Sequence, residues 1–294
     1  MITILGYPLP AILGQLILGL VNGSFYAILS LGLAVIFGLL RIVNFSHGAM
    51  YMIGAFVAHI ILTNFGLNYW AALIVAPVTV GLLGVVIERV FLSRLRGLDP
   101  LYGLLLTFGL ALIAEGVMQQ KFGSSGIGYP VPALLQGAYN LGFMFIPIYR
   151  LWVVVVSIVV CLTTWLVIER TSLGAILRAA TENSALTQAF GINVPVYLTA
   201  TYAFGVGLAG LAGVLAAPIT QVSPLMGSSL VVVVFAVVVI GGMGSIMGAI
   251  VSGIILGLLE GLTKVIYAEA STTVIFIIMA VVLLLRPVGL FGRE

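Results

Sequence analysis

The sequence predicts an all-α membrane protein, a polytopic transmembrane helical bundle of about eight or nine spans with a coupling helix on the cytoplasmic side. Three observations carry this. Of 294 residues, 62% are hydrophobic and 6% charged, with a mean hydropathy of +1.32, whereas a soluble domain carries about 25% charged residues. Apolar runs of about 20 residues, the length of helix that crosses hydrocarbon, recur from end to end. Alternation in the manner of a membrane β-barrel is missing, which leaves helices as the way to satisfy backbone groups in lipid.

Hydropathy and chain breakers delimit apolar segments at 11–40, 48–66, 70–91, 101–119, 151–168, 196–217, 229–241, 246–262 and 272–286 within a single transmembrane domain spanning 1–294. No Lys or Arg precedes Arg41, so the first segment lacks the basic flank of a cleaved leader and is expected to be retained. It is long for one crossing, and "VNGS" at 21–24 offers a place to unwind. The seventh segment is short and is parted from the eighth by "GGMGS", which points to a broken or re-entrant helix. Cys161, the single cysteine, lies in an apolar run and reads as a small packing residue.

Cation placement sets the orientation. With 41–47, 88–99, 169–194 and 286–294 inside, that side holds Arg41, Arg89, Arg94, Arg96, Arg170, Arg178, Arg286 and Arg293, against Lys121, Arg150 and Lys264 outside. The C-terminus is then cytoplasmic. Residues 120–150 form the longest external loop, rich in Gly, Pro and aromatics. The net charge of +3 is topological information, not a nucleic-acid footprint.

Helix association in lipid relies on small residues that let backbones approach. Ser245, Ala249, Gly253, Gly257 and Gly261 recur every fourth position, as do Gly205, Ala209, Gly213 and Ala217. No internal repeat is plain from the sequence. Neither lysine, Lys121 or Lys264, sits in a Gly-Lys-Ser/Thr phosphate loop, and the two histidines, His47 and His59, have no cluster of metal ligands beside them. The chain is therefore expected to be no enzyme, with no catalytic residue, metal or cofactor of its own. Glu115 and Glu260 fall near the outer ends of their spans, where a carboxylate reaches the interface or pairs locally, as Glu260 does with Lys264 one turn on.

The most polar internal stretch is "ERTSLGAILRAATENSALTQAFGINV", 169–194. Leu173, Ile176, Leu177 and Ala180 share one helical face, with Arg178 and Glu182 on the other. Asn183 or Ser184 then caps a second short helix to Phe190, Gly191 closes it, and Pro195 opens the next span. The features on both faces favour a protein contact over a helix resting on headgroups.

This run resembles the cytoplasmic loop of permease subunits of branched-chain amino acid ABC transporters. The resemblance extends to "NGSFYAILSLGLAVIFGLLRIVNFSHGAMYMIGAF" (22–56), "VVVIGGMGSIMGAIVSGIILGLLE" (237–260) and the ending "RPVGLFGR", and so to nearly the whole chain, which of the family's two permease types looks closer to the LivH type. It implies that Glu182, Ala189 and Gly191, with Arg178 before them, dock into the ATPase. Its Asn-Phe-Ala-His-Gly signature falls at 44–48, with Ser46 in place of alanine. Asn44, Ser46, His47 and Gly48 are candidates for lining the pathway, or else for satisfying helix ends. The resemblance further implies a second, LivM-like permease subunit, two cytoplasmic ATPases that bind ATP and Mg, a periplasmic binding protein, and a place in the bacterial inner membrane. Urea and short-chain amide importers use similar permeases, and a stand-alone secondary transporter is the rival from another class.

Overall fold

The computed structural model describes residues 3–4, 7–40 and 42–292. Among the described residues, seven helices are long and apolar enough to cross a membrane: α1 (Leu9–Leu40), α2 (Ser46–Phe65), α3 (Tyr69–Val90), α4 (Pro100–Phe122), α5 (Ile148–Arg170), α8 (Val194–Ala216) and α10 (Ile246–Ile266). Two shorter apolar helices are α9 (Met226–Gly241) and α11 (Thr273–Leu285), and α6 (Ser172–Glu182) and α7 (Ser184–Ala189) join α5 to α8. Strands β1 (Thr3–Ile4) and β2 (Tyr7–Pro8) pair before α1, and β3 (Ala138–Asn140) pairs with β4 (Phe145–Pro147) in the long loop. The bundle thus has a hairpin end, where β3 and β4 lie, and a short-helix end, where α6 and α7 lie.

Polar side chains start the helices where the sequence changes character. Asn68 caps α3, Asp99 caps α4 with Pro100 in its first turn, Asn193 caps α8 with Pro195 likewise, and Ser245 caps α10. The expected unwinding at "VNGS" does not occur, since α1 runs unbroken from Leu9 to Leu40. Gly23 instead lets α10 approach, because a Cβ on it would lie 3.0 Å from the Ile254 backbone. The small-residue stripe of α10 meets α1 in the same way. A Cβ on Gly257 would lie 2.3 Å from Gly23, and one on Gly261 would lie 2.3 Å from the Gln15 carbonyl oxygen.

An inverted repeat that the sequence conceals organises the bundle. Elements α1–α4 correspond to α8–α11 run in the opposite sense: α1 lies along α10 as α8 lies along α3, α2 packs on α8 as α9 packs on α1, and α4 flanks α2 as α11 flanks α9. Two reciprocal contacts mark the pseudo-two-fold axis. A Cβ on Gly32 would strike the Gly205 carbonyl oxygen at 2.6 Å, and one on Gly205 would strike that of Gly32 at 2.8 Å. Likewise Gly48 and Gly227 face each other, at 2.5 and 2.1 Å. Helix α5 belongs to neither copy.

Both α2 and α9 begin inside the bundle. The His47 ring lies 2.9 Å from the Leu29 carbonyl oxygen, deep within α1, and Gly48 meets Gly227 in the first turns of the two helices. The stretch leading to α9 comes from the hairpin end, where Val222 bridges to Ile127, so the short segment expected at 229–241 is entered from a re-entrant stretch, while α9 itself runs unbroken from Met226 to Gly241. Non-helical backbone at such depth needs internal partners. The Phe45 N–H donates to Thr107 Oγ1 at 3.1 Å, and that hydroxyl lies 3.2 Å from the Val43 carbonyl oxygen.

Gly257→Val forces backbone apart at the α1–α10 contact and is expected to cost more than the ~1–3 kcal/mol typical of overpacking. Gly109→Ala, with nothing within 4 Å of its added Cβ, should leave stability unchanged. Thermal unfolding of the two variants in detergent compares them directly.

Candidate functional site

Three regions carry the polar chemistry. At the short-helix end, α6 buries Gly174, Leu177 and Ala180 and leaves Leu173 exposed, which shifts the predicted apolar face by about one position. Arg178 turns back along α5, donating to the Ile168 carbonyl oxygen at 2.9 Å and lying 3.6 Å from the Glu169 carboxylate. Asn183, not Ser184, caps α7 by accepting from the Leu186 N–H at 2.9 Å. Helix α7 stops at Ala189, one residue short of the expected end, and Gly191 turns the chain at φ +82°. Glu182, Ala189 and Gly191 are exposed beside Leu186 and Phe190, the last 78% exposed. Beneath α6 lies a cavity of about 450 Å³, lined by Gly38, Glu169, Arg178, Thr181, Ser245 and Phe291 among others.

The second region is the mid-bundle junction. Asn44, Ser46 and His47 are fully buried, and Ser46 donates to Asn44 Oδ1 at 2.6 Å while lying 3.5 Å from the Tyr202 hydroxyl. Among the described residues, Asn44 Nδ2 and His47 Nδ1 find no hydrogen-bond partner. Of the 44–48 signature, Phe45 and Gly48 line a small cavity between α2, α4 and α9, and the side chains of Asn44, Ser46 and His47 do not.

Third, two buried carboxylates clamp the repeats. Glu260 on α10 accepts from the Tyr26 hydroxyl of α1 at 2.7 Å and from Lys264 Nζ at 2.6 Å, with Asn22 at 3.5 Å. Glu88 on α3 is fully buried, bonded by the Thr199 hydroxyl of α8 and by Arg96 in the turn that follows. The two are counterparts across the axis: each glutamate sits on the helix crossing the other copy's first span, and holds a hydroxyl from it and a cation beyond itself. Reading along the chain does not single out Glu88. Its signal is the pair of octets "GLLGVVIE" at 81–88 and "GIILGLLE" at 253–260, and Tyr26 precedes Gly32 by the same six residues that separate Thr199 from Gly205. At the hairpin end, the Tyr149 hydroxyl bonds the Leu215 carbonyl oxygen at 2.9 Å and meets Tyr69 at 3.0 Å. Nearby, burial pushes the Tyr129 phenol up to about 12.

Inverted copies of apolar helices whose second members begin against one another inside the bundle are an architecture of membrane transport proteins. The chain belongs to the family of the branched-chain amino acid transport system permease component, whose model matches residues 15–284. It is 30% identical to the high-affinity branched-chain amino acid transport system permease protein BraD of Pseudomonas aeruginosa, and 29% identical to LivH of Escherichia coli K12, with 96% of each chain covered in both cases. A probable branched-chain amino acid transport permease protein LivH of Methanocaldococcus jannaschii is 26% identical over 94% of this chain and 91% of its own. No solved structure matches.

Tyr26→Phe removes a hydrogen bond to a charged, buried acceptor and is expected to cost about 1.5–3 kcal/mol. Thr199→Val, its counterpart, should cost a similar amount, and chemical denaturation in detergent reads both.

Proposed function

We propose that this chain is the membrane-spanning subunit of an ABC importer for branched-chain amino acids in the bacterial inner membrane. It pairs with a second, LivM-like permease subunit, receives solute from a periplasmic binding protein, and is driven by two cytoplasmic ATPases that bind ATP and Mg. The short-helix end and the C-terminus then face the cytoplasm. The observation that carries this reading is the α6–α7 pair in a chain that belongs throughout to a permease family: it projects Leu186 and Phe190 outward while Arg178 ties it to the end of α5. Glu182, Ala189 and Gly191 form the contact with the ATPase, and Arg178 is the strut that passes its motion to the spans. The pathway runs past Gly48 and Phe45, with Asn44, Ser46 and His47 as the wall that fixes them. Urea and short-chain amides remain the alternative solutes within the same reading.

Proteoliposomes test it. The complete complex should import leucine with ATP, whereas this chain alone should import nothing, and solitary uptake would make it a secondary transporter. Glu182→Ala should cut solute-stimulated ATP hydrolysis more than solute capture. Gly191→Val sets a branched residue at a left-handed φ, at about 1–2 kcal/mol or more, and should lower co-purification of the ATPase while membrane insertion is kept.

A further inference from the structure

Three glutamates lie within long spanning helices away from their ends or at buried sites, and two of them are satisfied. Glu88 holds Arg96 and Thr199, and Glu260 holds Lys264 and Tyr26. Glu115 on α4 has no hydrogen-bond or ion-pair partner among the described residues. Helix α4 continues to Phe122, seven residues further, so Glu115 stands about 10 Å inside the helix end. Its apolar run ends one turn on, at Gln119, Gln120 and Lys121, and Glu115 is half-buried. A carboxylate that faces the bundle from a spanning helix is costly against lipid and belongs to an interior or a water-filled passage.

Glu115 lines the small cavity of about 60 Å³ between α2, α4 and α9, together with Phe45, Gly48, Met52, Phe108, Ala111 and Val231. It is the one ionisable side chain in that lining, and its neighbours are overwhelmingly apolar. At the 10–15 Å³ that one water requires, the cavity accepts about four to six heavy atoms, enough for the three carbons of an isopropyl or the four of an isobutyl group. Gly48 and Gly227, which mark the pseudo-two-fold axis, both line it.

We infer that Glu115 and this cavity form a transit subsite for an aliphatic amino acid, in which the carboxylate takes the ammonium group and the cavity takes the branched side chain. The subsite rests on the amino-acid permease reading above. A few convergent polar groups in an apolar hollow are the usual anatomy of a small-molecule site, and an ammonium–carboxylate contact supplies the stronger, charge-assisted bond.

The test uses the complete importer in proteoliposomes, with uptake normalised to assembled complex. Glu115→Gln should lower leucine uptake about tenfold or more, and Glu115→Asp should restore part of it. Ala111→Leu fills the hollow and should lower the leucine-to-valine uptake ratio at least several-fold, as expected of a pocket that counts methylenes. If Glu115→Gln fails to assemble, the Ala111→Leu ratio decides, and an unchanged ratio overturns the subsite. Wild-type import of leucine matched by Glu115→Gln overturns the subsite alone. A wild-type complex that imports no branched-chain amino acid overturns the functional reading, and the subsite falls with it.

Discussion

Everything in this bundle depends on backbone meeting backbone where glycine permits it. Lipid removes most of the reward for burying leucine between helices, so close contact and internal hydrogen bonds must supply the association. At Gly32–Gly205 and Gly48–Gly227 the two halves touch with no side chain between them, and along Gly19, Gly23, Gly253, Gly257 and Gly261 the first and tenth helices run nearly as close. These contacts fix the depth at which α2 and α9 begin. That depth in turn fixes which residues surround the junction cavity.

Close packing leaves little room for error with polar groups, and the bundle handles them by pairing. The non-helical stretch before α2 finds its partners in the hydroxyl of Thr107. The two carboxylates that tie α3 to α8 and α10 to α1 are each bonded by a hydroxyl and a cation. A buried pair of this kind contributes little net stability and chiefly forbids alternative registers, because breaking it strands a charge. The clamps hold each crossing pair of helices as a unit, which leaves relative movement to the contacts between units.

Much of the outline was legible in the sequence because membrane crossings and helix caps depend on local chemistry. The spans, the two short helices, the cap at Asn183 and the turn at Gly191 follow from hydropathy, breakers and short polar side chains. The shortness of α9 was legible for the same reason. The repeat was not, since what its copies share is a fold, and the residues that preserve it are a few glycines and one glutamate at matched spacings. Glu88 was hidden beside Arg89 and Arg94, where it reads as part of a solvated boundary. Only the approach of Thr199 and Arg96 shows it to be internal. The "VNGS" stretch misled because a glycine that loosens a helix and a glycine that admits a neighbour look alike in one dimension.

Helix α5 has a consequence of parity. The first four-helix unit starts and finishes at the hairpin end, and the second starts and finishes at the short-helix end, where Leu290 and Phe291 return to the carbonyls closing α9. Two such units joined directly would insert in the same orientation, and their interlocking partners would never face one another. One unpaired crossing turns the second copy over. An inverted repeat built from units of this kind therefore needs an odd crossing between them, and α5 is that crossing.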